Sequence, residues 1–440
     1  MEGVSDKLTN QIRRISSELL RSEVRRGKES LCVRCRGSKL LCGLSTCPIL
    51  SNYFKIFRNE VNRVCGSKII HGSSPPSIFV GRFGYPKVYV GPLVPPLFGD
   101  TSIFDFPEKW TIFPFIEILR FRTLLVHGRT IADVKFPERL GRIYDLMTEM
   151  ILSEKPVETE MELQKRPIKL KELTMEVSPT GPSAPLEKLK LATTKTDFKL
   201  EKIYYDFDLK ASEAIVRLYE EKVPVSRIQK ALSAGMLGVK KRRSLVPTRW
   251  SITAVDSVIS EWLLEKVREY PVVNYVEVYI HEEPENLFVA LLVPNKWEYE
   301  WLEAWFPGTV WNKFGKDVVI YADYERYKGR TNYAENTGGC YYAARLAVAE
   351  KLFSMRRQAK AILFREVYRG YFFPVGVWNV REGFREAFKK EAKKFEDLGE
   401  ALSYIMTKLR VDFRKWLRKS VILWETVSKK ITDFMRRELV

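Results

Sequence analysis

The sequence predicts a mixed α/β (α+β) fold, with central mixed sheet regions, an N-terminal four-cysteine module and a helical C-terminal region. Three features predict it. Apolar residues in 69–97 and 272–322 alternate, or cluster in short β-branched runs broken by Gly and Pro, as strands do. Elsewhere, notably in 210–268 and 383–440, they recur at three- and four-residue intervals, as on one face of a helix. At 45% hydrophobic and 29% charged, the 440 residues can bury substantial cores and suit two or three domains. No apolar run reaches the ~20 residues a spanning helix needs, and the mean hydropathy is −0.22, so no membrane role is expected. The polar start MEGVSDKLTNQIRR has no export-type apolar segment, which gives a cytoplasmic expectation.

The elements follow in order. Leu8, Ile12, Ile15, Leu19 and Leu20 give a basic amphipathic helix over 6–28. The segment SIFVGRFGYPKVYVGPL reads as two strands turning at Gly84-Tyr85-Pro86. Leu140, Ile143, Leu146 and Met147 share a face of a helix over 137–153. Residues 154–186 are polar and proline-punctuated, and read as a linker or crossing loop. Two helices, 210–222 and 225–237, flank a turn at Lys222-Val223-Pro224, with Ser226 as N-cap of the second. A helix over 252–268 precedes strands at 272–280, 287–293 and 317–322, the first two paired across HEEPEN. Helices return at 340–366 and dominate 383–440. The segments become 1–66, 67–153, 154–186, 187–382 and 383–440.

Cys32-x2-Cys35-x6-Cys42-x4-Cys47 is the densest chemical signal. Four thiolates close a tetrahedral Zn²⁺ shell and leave no position for water, so the expected ion is structural. An iron–sulfur cluster is the rival; zinc is favoured because the spacing matches no ferredoxin run. Cys65 and Cys340 stand apart and read as ordinary buried thiols.

Lys and Arg number 74 against 55 Asp and Glu, a net charge of +19 that favours an anionic partner such as nucleic acid. The run Lys240, Lys241, Arg242 and Arg243 directly follows the helix pair and is the candidate DNA contact, through phosphate neutralisation. A packed helical hairpin with a solvated tail is the plainer reading. In SSPPSIFVGRFGYPKVYVGP, Ser77, Arg82 and Lys87 surround Gly-freed backbone that could cradle a phosphate; a tight hairpin is its rival. Asp323, Glu325, Arg330 and Arg345 are the further catalytic or pocket candidates. Converging carboxylates hold Mg²⁺ for phosphodiester cleavage, and arginines stabilise the charge that develops; ordinary ion pairs are the alternative. The three histidines show no metal-ligand pairing.

The cysteine cluster, SSPPSIFVGRFGYPKVYVGPLVPP at 73–96, LVPTRWSITAVDS at 245–257, GRTNYAENTGGCYYAARLAVAEKL at 329–352 and RGYFFPVGVWNVRE at 369–382 together resemble the archaeal Nre DNA repair proteins. The resemblance implies a cytoplasmic, nucleoid-associated DNA damage repair factor with a four-cysteine zinc finger, and docking on the replication sliding clamp (PCNA) through a C-terminal peptide. In the tail Ser428-Lys429-Lys430-Ile431-Thr432-Asp433-Phe434-Met435, the residues Ile431, Phe434 and Met435 fill the offsets +3, +6 and +7 of a clamp-binding peptide. Ser428 replaces the leading Gln and Met435 the second aromatic. Leu423, Val427, Ile431, Phe434 and Leu439 equally make a helical apolar stripe. The functional expectation is a repair factor at DNA and the clamp. If it is an enzyme, it is a nuclease-like hydrolase; the alternatives are a non-catalytic repair adaptor and an RNA-processing enzyme.

Overall fold

The computed structural model describes residues 31–35, 41–44, 47, 62, 64–167, 180–371 and 374–428. The helix expected at 6–28 and the clamp-type positions from Lys429 onward lie outside them. The chain divides into two compact units. An N-terminal unit comprises Gly37–Trp262 with Phe373–Glu382. A C-terminal unit comprises Leu263–Phe372 and Gly383–Val440 together with Met1–Arg36.

The N-terminal unit is built on a six-stranded mixed sheet. Its strands are β1 (Ile69–Ser74), β2 (Ile78–Val80), β3 (Lys87–Val94), β4 (Val126–Asp133), β5 (Val157–Leu163) and β6 (Ser183–Leu191), ordered β1-β5-β6-β4-β3-β2. Only the β4–β6 pair is parallel. The β2–β3 hairpin turns where the sequence predicts, and Gly84 takes a φ of +84° that a side chain would resist. At Gly91 the constraint is space: a Cβ there would overlap the Gly128 carbonyl on β4. Strand β5 lies inside the stretch expected to be a linker. Val157, Thr159, Met161 and Leu163 alternate inward, but one of them is polar and the residues between are all Glu, so composition alone reads as a polar linker.

Around this sheet stand α1 (Phe115–Leu124), α2 (Arg142–Leu152), α3 (Phe198–Tyr205), α4 (Ala211–Glu220), α5 (Val225–Ser233) and α6 (Thr248–Val267). The predicted helix pair is α4 and α5, turned by Lys222 at a φ of 64°. Ser226 is not the cap. Pro224 occupies that position and Ser226 lies in the first turn, where its backbone N–H and hydroxyl both donate to Glu108, each at 2.8 Å.

The C-terminal unit carries a second six-stranded mixed sheet: β7 (Val276–Glu283), β8 (Asn286–Val293), β9 (Glu298–Trp305), β10 (Val319–Glu325), β11 (Lys360–Val367) and β12 (Lys393–Phe395), in the order β10-β9-β11-β8-β7-β12. β7 and β8 pair antiparallel across the predicted turn. The long helix expected over 340–366 is two elements. α7 (Gly339–Met355) ends at Arg356, which takes a left-handed φ of 51°, and the chain re-enters the sheet as β11. All eight β11 residues are buried, so both faces are apolar or paired and no period of two marks the strand. Helix α8 (Trp378–Lys389), whose residues up to Glu382 belong to the N-terminal unit, is followed by α9 (Leu398–Lys408), α10 (Phe413–Lys419) and residues 422–428. Leu402, Ile405, Trp416 and Leu423 join the core under this sheet. Two buried glutamates tie down the C-terminal segments. Glu366 accepts the N–H groups of Arg410 and Val411, and Glu300 those of Val421 and Leu423. Among the described residues no helix is long and apolar enough to cross a membrane.

Candidate functional site

A pocket of about 60 Å³ opens in the N-terminal unit. At ~10–15 Å³ per enclosed water, that is room for roughly four waters or one small polar group. Six segments far apart in sequence build it. Ser77 comes from the link between β1 and β2, Asp105 from the end of a 3₁₀ turn (Ser102–Asp105), and Arg122 from α1. Gln229 and Lys230 come from α5, Ile252 from α6, and Arg381 from α8. Asp105 is the hub. Its carboxylate accepts the Ser77 hydroxyl, the Arg122 guanidinium and, at 3.0 Å, the Lys230 ammonium. Lys230 also donates to the Asp105 backbone carbonyl at 2.6 Å, and Arg122 to that of Phe104 at 3.1 Å. Beside this hub, Asp256 accepts from Gln229 at 2.9 Å and from Arg381 at 3.0 Å. Phe79 and Trp378 supply aromatic lining, and Trp110 packs edge to face behind Trp378, the ring centroids 5.0 Å apart.

The electrostatics limit what this pocket can do. Burial alone would raise the Asp105 pKa, but the Arg122 and Lys230 charges and the Ser77 hydrogen bond outweigh it and bring it down to about 2. Such a carboxylate stays ionised and is a poor general base at neutral pH. Burial pushes the Lys230 ammonium the other way, below the ordinary lysine range, with Asp105 opposing the shift. Arg381 faces Asp256, Glu382 and, at 4.0 Å, Glu108. Cations and carboxylates therefore nearly balance, so the pocket is no bare phosphate trap. It suits a small, uncharged, hydrogen-bonding group held against aromatic walls.

Of the residues singled out in the sequence, Ser77 lines this pocket. Lys87 is exposed at the start of β3, and Arg82 lies over the Phe83 ring, its guanidinium carbon 4.6 Å from the centroid. Lys240, Lys241 and Arg242 are exposed, whereas the Arg243 guanidinium donates to the carbonyls of Gly238, Tyr204 and Asp206 and is spent on holding the chain.

Asp323, Glu325, Arg330 and Arg345 lie in the C-terminal unit and do come together there. Asp323 accepts from the Thr337 N–H and hydroxyl, Asn336 and Arg330. Glu325 accepts from Trp297, Tyr341 and Arg345, the last at 2.9 Å with both partners buried. Burial, reinforced by the Glu325 charge, pushes the Tyr341 hydroxyl far above its ordinary pKa, so it remains a donor. Protein donors occupy every oxygen of these two carboxylates, and the cluster braces β10 against α7.

Cys35 is buried, Cys32 and Cys47 are half-buried and Cys42 is exposed. Among the described residues no group of three or more His, Cys, Asp or Glu is gathered as for a metal ion. Residues 36–40 and 45–46, which join the four cysteines, lie outside the described set. Cys340 is buried as expected, while Cys65 is only half-buried. Ser428 is the last described residue of the clamp-type tail, and Leu423 and Val427 before it are core residues.

Sequence reasoning missed Asp105, Arg122, Gln229 and Lys230, whereas Arg381 falls in the block at 369–382. No spacing connects them, because only the tertiary fold brings their segments together.

The family model described as "Archaeal Nre, N-terminal" matches residues 41–312, and that described as "Archaeal Nre, C-terminal" matches 325–434. A "DNA repair protein NreB" from Archaeoglobus fulgidus is 42% identical over 405 residues, covering 92% of this chain and 100% of the relative. A "DNA repair protein NreA" from the same organism is 38% identical, covering 88% of this chain and 95% of the relative. Another "DNA repair protein NreA", from Haloferax volcanii, is 34% identical, covering 84% and 90%. No solved structure matches the chain. Both halves of the sequence match in order, and the chain belongs to the archaeal Nre family.

Proposed function

We propose that this chain is a DNA repair protein that binds DNA and takes a small, uncharged, hydrogen-bonding part of its substrate into the pocket around Asp105. The repair role is drawn from relatives at 34–42% identity that carry it in their names. The pocket itself is the observation that carries the second half: a ringed carboxylate, the Phe79 and Trp378 rings and balanced charge around a small space. In a host lacking the gene, survival after DNA damage should fall and be restored by the wild-type chain. Undiminished survival without the gene overturns the repair role.

Two further parts of the reading rest on the sequence. The four cysteines would hold one structural zinc through their thiolates, which supports folding and supplies no reacting group. Elemental analysis should find about one zinc per chain, lost in Cys35→Ser; iron, or no metal in carefully prepared protein, removes this part. The tail would dock on the sliding clamp through Ile431 and Phe434. Without the leading Gln, we expect a micromolar contact, about −8 kcal/mol, by calorimetry of the tail peptide. No detectable heat removes it.

A further inference from the structure

Three aromatic side chains stand exposed where the β2–β3 hairpin turns: Phe83 at 43%, Tyr85 at 51% and, from the first turn of α6, Trp250 at 44%. The Tyr85 and Trp250 ring centroids lie 5.1 Å apart at a tilt of 55°. Buried rings of this size contribute to a core, whereas these are about half exposed. Cations flank them: Arg82 over Phe83 and Lys87 at the end of the turn, the latter facing Asp133 across the sheet.

A second group of the same composition gathers at Lys240, ten residues before Trp250 in the chain. Tyr205 and Phe207 are exposed, their rings 6.3 Å apart, and the Lys240 ammonium sits 4.3 Å from the Phe207 centroid. The connecting segment, KKRRSLVPTRW (240–250), is tied midway to the hairpin. The Leu245 N–H donates to the Val134 carbonyl at 2.8 Å, and the Val134 N–H to the Pro86 carbonyl at 2.9 Å. Segment 240–250, at most ~35 Å of chain, thus carries cations and joins the two aromatic groups. Proteins that hold unpaired strands combine these two elements, because every base has a π-face and every linkage a phosphate. A duplex keeps its bases stacked inside and would leave the rings without a partner.

We propose that segment 240–250 and the hairpin turn 82–87 form a track for single-stranded nucleic acid. Bases stack on Trp250 and Tyr85 and on Phe207 and Tyr205. Lys240, Lys241, Arg242, Arg82 and Lys87 meet the phosphates. The proposal rests on the repair reading only in taking nucleic acid as the occupant. It also gives the hairpin strand a purpose, since the chain that presents Tyr85 begins beside Ser77 at the pocket.

The test is fluorescence anisotropy of the full chain with a labelled 20-nucleotide oligothymidylate, the matching oligouridylate and a duplex, at 50–200 mM salt. The wild type should prefer the single strands to the duplex, and the ratio between the two oligomers tells DNA from RNA. Tyr85→Ala with Trp250→Ala should weaken single-strand binding about tenfold or more, with the salt slope unchanged. Replacing Lys240, Lys241 and Arg242 with Ala should reduce that slope by about 2. Thermal unfolding confirms that each variant is folded. Wild-type affinity in the folded Tyr85/Trp250 variant overturns the track, as does preference of the wild type for duplex. Damage survival is scored in the same strains. A folded track variant that fails to bind single strands yet fully restores survival separates the two claims: the track is then not part of repair.

Discussion

His127 on β4 has both ring nitrogens buried with no hydrogen-bond partner among the described residues. Burial, helped by the Arg129 charge, lowers its pKa to about 3. The folded pKa therefore lies below the unfolded value of ~6.5, and the ring is neutral in the native state. Stability from this group is complete above about pH 6.5 and is lost as pH falls toward 3, at about 1.4 kcal/mol per unit. Between pH 6.5 and 5 the wild type should lose about 2 kcal/mol that His127→Phe does not, read from urea midpoints. Equal slopes would show that the ring gains a proton at no cost. Glu325 and Arg345 make a second residue-scale case. Truncating Arg345 to Ala strands a buried carboxylate and should destabilise by about 3–5 kcal/mol by the same assay. A loss below 1 kcal/mol would mean that water or Trp297 and Tyr341 suffice. Paired carboxylates at 323 and 325 were readable as chemistry in the sequence. Their bracing role was not, since it depends on Trp297, Thr337 and Tyr341 arriving from other segments.

The two glutamates on the C-terminal sheet turn a stability question into one about elements. Each accepts two backbone N–H groups of segments that follow, so charge in the sheet positions helices distant in sequence. Glu300→Ala should speed amide hydrogen exchange in 420–428 while β7 and β8 keep their protection. Unchanged exchange there would show that the apolar contacts of Leu423 and Val427 are enough. On the other sheet, Gly91→Ala should cost about 1–3 kcal/mol in urea unfolding, because β4 backbone must move aside. Legibility followed period. The β2–β3 and β7–β8 hairpins were readable because turn residues bracket short apolar runs. β11 was absorbed into a helix because a strand buried on both faces has no alternation to detect. β5 was lost because its inward positions include Thr159 and its outward ones are acidic.

At the scale of the whole molecule, the fold class was legible and the site mostly was not. Two mixed sheets with helical cover follow from alternation and helical spacing summed over long stretches. A pocket assembled from six separate segments leaves no such sum; Ser77 was legible through the unusual Gly, Pro and hydroxyl content around it, and Arg381 through the block at 369–382. The net charge of +19 acts at this scale too. It raises encounter rates with any polyanion, and in the proposed function the balanced pocket means that charge would deliver the substrate without selecting it. Selection would then fall to the hydrogen-bonding groups of the pocket, which makes occlusion of the pocket the most direct test. Ile252→Trp would fill that space from α6 while leaving Asp105, Arg122, Lys230 and Arg381 in place. The measurement is survival after DNA damage in a host whose only copy carries this change, with thermal unfolding to establish a folded product. The account predicts survival close to that of a strain lacking the gene; wild-type survival with the pocket filled would contradict it.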